Sequence, residues 1–233
     1  MEENKPDFSL KAYLLPHINP EGIKFGAIAL CVAVVVAMVA GSVDTLKYLT
    51  LPMFLLAYGV FLFFRDPDRF PPEDEKAILS PADGRICLIE ECELPDSLAG
   101  DGKKYWRVSV FMSVFNVHVN RMPTAGEILK KEYVAAGKFF NASLDKASKE
   151  NERCNYLIKA ANDQVYGVTQ IAGLVARRIV PQVTEGQKLE RTQRFGLIRF
   201  GSRLDVYLPE GVKPEVKIGQ TMVAGETVLG HLA

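Results

Sequence analysis

The sequence is poor in histidine and cysteine and, over one long stretch, almost without charge. Of 233 residues three are histidine and four are cysteine, and 28 Lys+Arg balance 28 Asp+Glu. Cys31, Cys87, Cys92 and Cys154 make neither a Cys-x-x-Cys pair nor a metal-like cluster, so they read as reduced structural thiols. Zero net charge argues against a nucleic-acid binder that relies on a diffuse basic surface, and a 24% charged fraction argues against disorder. No Gly-x-Ser-x-Gly nucleophile elbow, glycine-rich nucleotide loop or metal cluster is present.

What is there begins with the charge-poor stretch. Between Phe25 and Phe64, forty residues carry two charges, Asp44 and Lys47. Phe25 to Val43 is a 19-residue uncharged run, close to the length that crosses a hydrocarbon layer of about 30 Å. Tyr48 to Phe64 adds 17 residues containing Pro52 and Gly59, tolerable if the two helices pack together. The short link between them predicts a helical hairpin over 25–64, transmembrane or membrane-embedded, with both chain ends on one side. Lys5, Lys11, Lys24, Arg65 and Arg69 flank the hairpin, against Lys47 alone in the turn, which puts residues 1–24 and the domain after 64 on the cytoplasmic side of a cell membrane. A buried helical pair of a soluble protein and a hairpin lying shallowly in the interface are the alternatives.

A proline-rich exit, Arg65 to Pro72, leads to a second region whose domain proper begins near Ala77. Short β-branched runs punctuated by Gly, Pro and Asp predict strands at Arg85–Ile89, Trp106–Met112, Gly167–Ile171, Leu197–Phe200 and Leu204–Leu208. Ala142 to Glu152 reads as a helical or loop excursion. The C-terminal Val216 to Gly230 repeats the glycine rhythm of lipoyl- and biotinyl-type sandwiches, with positive φ expected at Gly219, Gly225 and Gly230. It lacks a carrier lysine flanked by methionines, so the rhythm is architecture. The fold class is therefore β-rich α+β: a helical hairpin, then a barrel-sandwich-like, mostly β domain over 65–233.

Three short segments carry candidate chemistry. His118, the one histidine inside the strand-rich region, reads either as a general base or as a hydrogen-bonded structural imidazole. Asp83, in Ser80-Pro81-Ala82-Asp83-Gly84, is either a plain turn residue or a carboxylate that orients an imidazole. Ser202, in Phe200-Gly201-Ser202-Arg203, is either a turn residue or a nucleophile.

Taken in order, Ser-Pro-Ala-Asp-Gly, Phe-Met-Ser-x-Phe-Asn-Val-His-x-Asn-Arg, the Asn-Glu-Arg at 151 to 153 and Phe-Gly-Ser-Arg resemble the phosphatidylserine decarboxylases, most closely their short prokaryotic form. The resemblance covers residues 65 to 233 and extends to the anchor. It implies a proenzyme that cuts itself between Gly201 and Ser202 into a large chain, 1–201, and a small chain, 202–233, which stay together as a heterodimer. It also implies a covalent pyruvoyl cofactor made from Ser202, which forms a Schiff base with phosphatidylserine in the bilayer and yields phosphatidylethanolamine. His118 aligns with the base of self-cleavage and Asp83 with its orienting acid. Two positions depart from the longer bacterial members: Arg203 stands where they carry Thr, and Arg121 where they carry a second His.

These residue types suit that chemistry. A hydroxyl must attack the carbonyl before it, glycine at 201 lets the peptide bend, and only serine eliminates to a group that hydrolyses to pyruvoyl. Arg65 and Arg69, and with them Arg177 and Arg178, are the candidates for attracting an anionic headgroup. The rival readings are a membrane-anchored barrel-sandwich adaptor without chemistry, a Ser-His-Asp lipid hydrolase, and a pyruvoyl decarboxylase of a soluble amino acid. Homo-oligomerisation is left open.

Overall fold

A computed structural model of the chain describes residues 17–98, 102–135, 151–173, 178–199 and 202–233, and it divides into two compact units at Asp68/Arg69. Most of the expected excursion at 142–152 lies outside the described residues; Asn151 and Glu152 lie inside them.

The first unit is a helical hairpin. Helix α1 spans Pro20–Val39 and helix α2 Lys47–Phe63, joined through a 3-10 turn at Asp44–Leu46. Helix α1 starts five residues before the apolar run because a cap, not hydropathy, sets its beginning: the Asn19 side chain accepts from Glu21 N, and Pro20 occupies the first turn. Both helices are long and apolar enough to cross a membrane. Their outer faces are apolar too, with Met38 74% and Leu51 67% exposed, so water is a poor solvent for this unit. Its base is closed by Asn19 N donating to Phe64 O at 2.9 Å and Asp66 N to His17 O at 2.7 Å. A Cβ on Gly22 or Gly26 would lie about 2 Å from the Phe64 or Phe61 side chain, so these two glycines let the helices meet.

The second unit is antiparallel β. In chain order its strands are β1 (Ala77–Leu79), β2 (Gly84–Glu93), β3 (Lys104–Met112), β4 (Val119–Arg121), β5 (Gly126–Val134), β6 (Arg153–Ala160) and β7 (Val165–Ala172). There follow β8 (Arg178–Pro181), β9 (Lys188–Leu189), β10 (Arg194–Arg199), β11 (Ser202–Tyr207), β12 (Thr221–Met222) and β13 (Val228–His231). Among the described residues they form an eight-stranded sheet ordered β12-β2-β3-β11-β7-β6-β5-β9, a three-stranded sheet β4-β10-β8, and the pair β1-β13. Strand alternation divides β11. Leu204 and Val206 point into the main core with Val108, Val110, Met112, Tyr156 and Val168, while Tyr207 joins a smaller cluster with Leu94 and Tyr105 on the other side.

The conspicuous strands β2, β3, β7, β10 and β11 were visible as β-branched runs. Strands β5 and β6 were not. Their faces carry Glu127, Lys130, Lys131, Glu132 and Arg153, and a register shift at Ile128/Lys130 breaks the two-residue period. Gly219 and Gly225 have positive φ, as the turn reading expects. Gly230 does not; it lies within β13, where a Cβ would sit 3.0 Å from Lys213 O, so close backbone approach explains that glycine.

Gly84 combines both demands. Its φ is +153°, and a Cβ there would lie 2.1 Å from the Phe111 carbonyl oxygen of β3. Gly84→Ala is therefore expected to cost about 1–3 kcal/mol in backbone strain. At roughly 2–4 °C per kcal/mol for a chain of this size, thermal unfolding in detergent should shift down by several degrees; an unchanged Tm would contradict this packing.

Candidate active site

Ser202 is the first residue of β11 and fully buried. Its Cα partners are Met112, the last residue of β3, and Ala172, the last of β7. The Ser202 Oγ lies 3.9 Å from Met112 Sδ, and the same sulfur accepts from Asn120 Nδ2 at 3.7 Å. Asn120 Oδ1 accepts from Gln170 Nε2 at 2.8 Å, and Gln170 Oε1 from the Tyr156 hydroxyl at 2.7 Å. This buried polar row fixes the floor beneath Ser202. Its members lie on three different strands, which is why spacing along the chain could not reveal it.

His118 is 2% exposed and stands just before β4. Its Nδ1 lies 2.9 Å from the Asn116 carbonyl oxygen. A carbonyl can only accept, so in the neutral ring Nδ1 carries the hydrogen and Nε2 the basic lone pair. The His118 carbonyl accepts from Ile198 N at 3.3 Å, which ties the imidazole's backbone to the strand four residues ahead of Ser202. Gly201 lies outside the described residues.

Asp83 does not supply the imidazole's contact. Its Oδ2 pairs with Arg69 Nη2 at 2.9 Å and its Oδ1 accepts from Ala224 N at 2.8 Å, with the two side chains 8% (Arg69) and 15% (Asp83) exposed. The Asn116 carbonyl holds the His118 Nδ1 instead. Asp83 is still joined to the histidine segment, because the Pro81 carbonyl of its turn accepts from Arg121 N at 3.0 Å. The same pairing corrects the headgroup expectation for Arg69, whose guanidinium is committed to Asp83 inside the domain. Arg177 lies outside the described residues, whereas Arg178 is exposed on β8.

The Asn-Glu-Arg segment acts as a brace. Asn151 Nδ2 donates to Ala172 O at 2.7 Å, and Ala172 N donates to Glu152 O at 2.9 Å, so the strand end facing Ser202 is held from both sides of its peptide. The Glu152 carboxylate accepts from Ile179 N at 2.8 Å and the Tyr133 hydroxyl at 2.6 Å. Burial and that carboxylate push Tyr133 up to about 12, so it remains a donor. Among the described residues no group of His, Cys, Asp and Glu is placed to hold a metal. Burial pushes the thiols of Cys87 and Cys154 up, which leaves them poor nucleophiles. A cavity of about 650 Å³ opens on the other face of the sheet, lined by Arg107, Arg153, Asn155 and Thr169 among others; neither Ser202 nor His118 lines it.

Comparison with known proteins identifies the family. The model of the family described as phosphatidylserine decarboxylase matches residues 57–230. The chain belongs to the phosphatidylserine decarboxylase family. It is similar to the phosphatidylserine decarboxylase proenzyme of Erythrobacter litoralis, 51% identical over 93% of this chain and 88% of the relative. The proenzyme of Ruegeria pomeroyi is 50% identical over 94% and 96%, and that of Gluconobacter oxydans 55% identical over 73% and 75%. Membership makes the chain a decarboxylase of the proenzyme type.

Within this decarboxylase the two departures become intelligible. Arg203 follows Ser202 and so projects from the opposite face of β11, where its Nε and Nη2 make a forked pair with Asp205 Oδ1 and Oδ2 at 2.7 and 2.8 Å. Burial opposes the Arg203 charge, and the Asp205 carboxylate more than offsets it, leaving the guanidinium firmly protonated. Arg121 donates from Nη1 to Thr192 O at 3.2 Å, so the position of the second histidine supports the loop before β10.

Removing the brace tests its importance. Asn151→Ala leaves the buried Ala172 carbonyl without that donor and is expected to cost about 1–3 kcal/mol. The exposed Asn162→Ala should stay within about 0.5 kcal/mol of the parent. Urea midpoints of the two variants compared with the parent check this; equal midpoints for all three would contradict the bracing role.

Proposed function

We propose that the chain is a membrane-anchored proenzyme that cuts itself before Ser202 and, once matured, decarboxylates phosphatidylserine to phosphatidylethanolamine. The observation that carries this reading is the placement of a fully buried serine at the first position of a central strand, with His118 tied by its backbone to the segment leading into it.

In maturation the Ser202 hydroxyl attacks the carbonyl carbon of Gly201 while His118 Nε2 takes the hydroxyl proton. The C–N bond of the 201–202 peptide breaks, and the leaving nitrogen receives a proton from the imidazolium. Removal of the Ser202 α-proton then expels the Gly201 carboxylate with the original serine oxygen, and the dehydroalanine left at 202 loses its nitrogen as ammonia to water. The residues present suit a pyruvoyl group at 202, because the position is dry, its neighbours Met112 and Ala172 are small or soft enough for a planar group, and the Asn120-Gln170 row holds the floor rigid. Such a group supplies a carbonyl that captures the substrate amine and accepts the electron pair released as CO₂ departs. His118 then returns a proton to the substrate's α-carbon. Asp83 is a positioning residue that holds the 80–84 turn against Arg121, beside the histidine.

The proposed parts are an N-terminal cytoplasmic segment, 1–24, a membrane hairpin, 25–64, and a barrel-sandwich-like catalytic domain, 65–233, at the cytoplasmic face. The exposed apolar faces of α1 and α2 support the anchor, and the glycine turns at 219 and 225 beside β12 and β13 support the sandwich. A large chain, 1–201, and a small one, 202–233, would remain one heterodimer, since β11 bonds to β3 and β7 on both sides.

On a denaturing gel the parent is expected to give two fragments, the smaller with a blocked, hydroxylamine-reactive N-terminus, and to release CO₂ from phosphatidylserine vesicles. Ser202→Ala should stay whole and inactive, and His118→Ala should mature about 10²- to 10⁴-fold more slowly. An active parent that runs as one uncut chain would overturn the reading.

A further inference from the structure

The turn between β3 and His118 exposes apolar surface where a soluble domain gains nothing from it. Val114 is 47% and Phe115 83% exposed, although Met112 before them and Val117 after them are buried. The turn is also stiff. Asn116 N donates to Ser113 O at 3.0 Å, and the Asn116 Oδ1 accepts from both Ser113 N at 2.9 Å and Ser113 Oγ at 2.8 Å. These bonds fix the shape of the turn, with the two apolar side chains exposed at its tip. From Val108 to Val117 the sequence has no charge, so the tip can enter an apolar layer without carrying an ion into it.

We infer that the Ser113–Asn116 turn is a membrane contact of the catalytic domain, in which Val114 and Phe115 enter the lipid bilayer and set the depth of the active site. The inference rests on the reading of phosphatidylserine as substrate. An aromatic ring favours the bilayer interface. Phe115 and His118 are three positions apart in the chain, a reach of at most about 10 Å. The headgroup region on each side of the hydrocarbon is of similar order, roughly 5–8 Å. With Phe115 at the acyl boundary, His118 lies at the level of the serine headgroup, and a buried reaction centre can meet its substrate without lifting the lipid out of the membrane. Insertion of a whole Phe side chain contributes enough apolar transfer to matter beside the anchor, while leaving the domain free to release product.

The test uses the full chain in phosphatidylserine/phosphatidylcholine vesicles. In Phe115→Trp, lipids brominated on their acyl chains should quench emission beyond the level seen in the parent, whose only tryptophan is Trp106. No added quenching by brominated lipid would overturn the inference. In Phe115→Ser, decarboxylation of bilayer phosphatidylserine should fall about three- to tenfold, while turnover of dispersed dihexanoyl phosphatidylserine stays within about twofold of the parent. Equal rates on bilayers, or an equal fall on both substrates, would overturn it. A parent inactive on both substrates would refute the functional reading instead, and the quenching result would still decide where the turn lies.

Discussion

The constraint on which the rest depends is the position of β11 in the middle of the eight-stranded sheet. Its six residues are hydrogen-bonded to β3 on one side and β7 on the other, in unbroken register from Ser202 to Tyr207. A strand so placed cannot slip by one residue without exchanging its faces. Register therefore decides which side chains meet: Ser202 faces Met112 and the apolar core, and Arg203 and Asp205 face away. A cut before Ser202 would sever the chain without releasing the strand, so the same ladder that places the serine would also retain the small chain. The pairs β1-β13 and Asp83 with Ala224 N tie down the rest of that C-terminal piece.

Buried charge in this domain serves geometry more than stability. The Arg203 and Asp205 side chains are 1% and 0% exposed, and their fork is satisfied within one strand. The Arg69–Asp83 pair joins the segment entering the domain to the turn that docks on Arg121. Pairs of this kind offset their own desolvation without adding much, but losing one partner leaves a costly uncompensated ion. Arg203 and Asp205 satisfy each other within β11, and Arg69 holds the turn at Asp83.

Much of the plan was legible in the sequence because each visible element rests on a local cause. Forty residues with two charges define an apolar hairpin, and β-branched runs define β2, β3, β7, β10 and β11. The motif segments are linked through the backbone: the Asp83 turn to Arg121, His118 to Ile198, and Asn151 to Ala172 opposite Ser202. What stayed hidden depends on contacts between distant residues. The Asn120-Gln170-Tyr156 row spans three strands, and β5 and β6 carry charges that mask their period. Asp83 looked like the partner of the imidazole because both residue types suit that pairing. The backbone carbonyl of Asn116, which carries no residue-type signal, takes that place.

The central claim is that the Ser202 oxygen itself attacks the carbonyl before it, and maturation in heavy-oxygen water tests that claim most directly. If Ser202 Oγ is the attacking atom and elimination follows, the new C-terminal carboxylate of the large chain takes its second oxygen from the serine, and its mass shows no label. A labelled oxygen in that carboxylate would mean that water cleaved the bond, and the account built on Ser202 would fail.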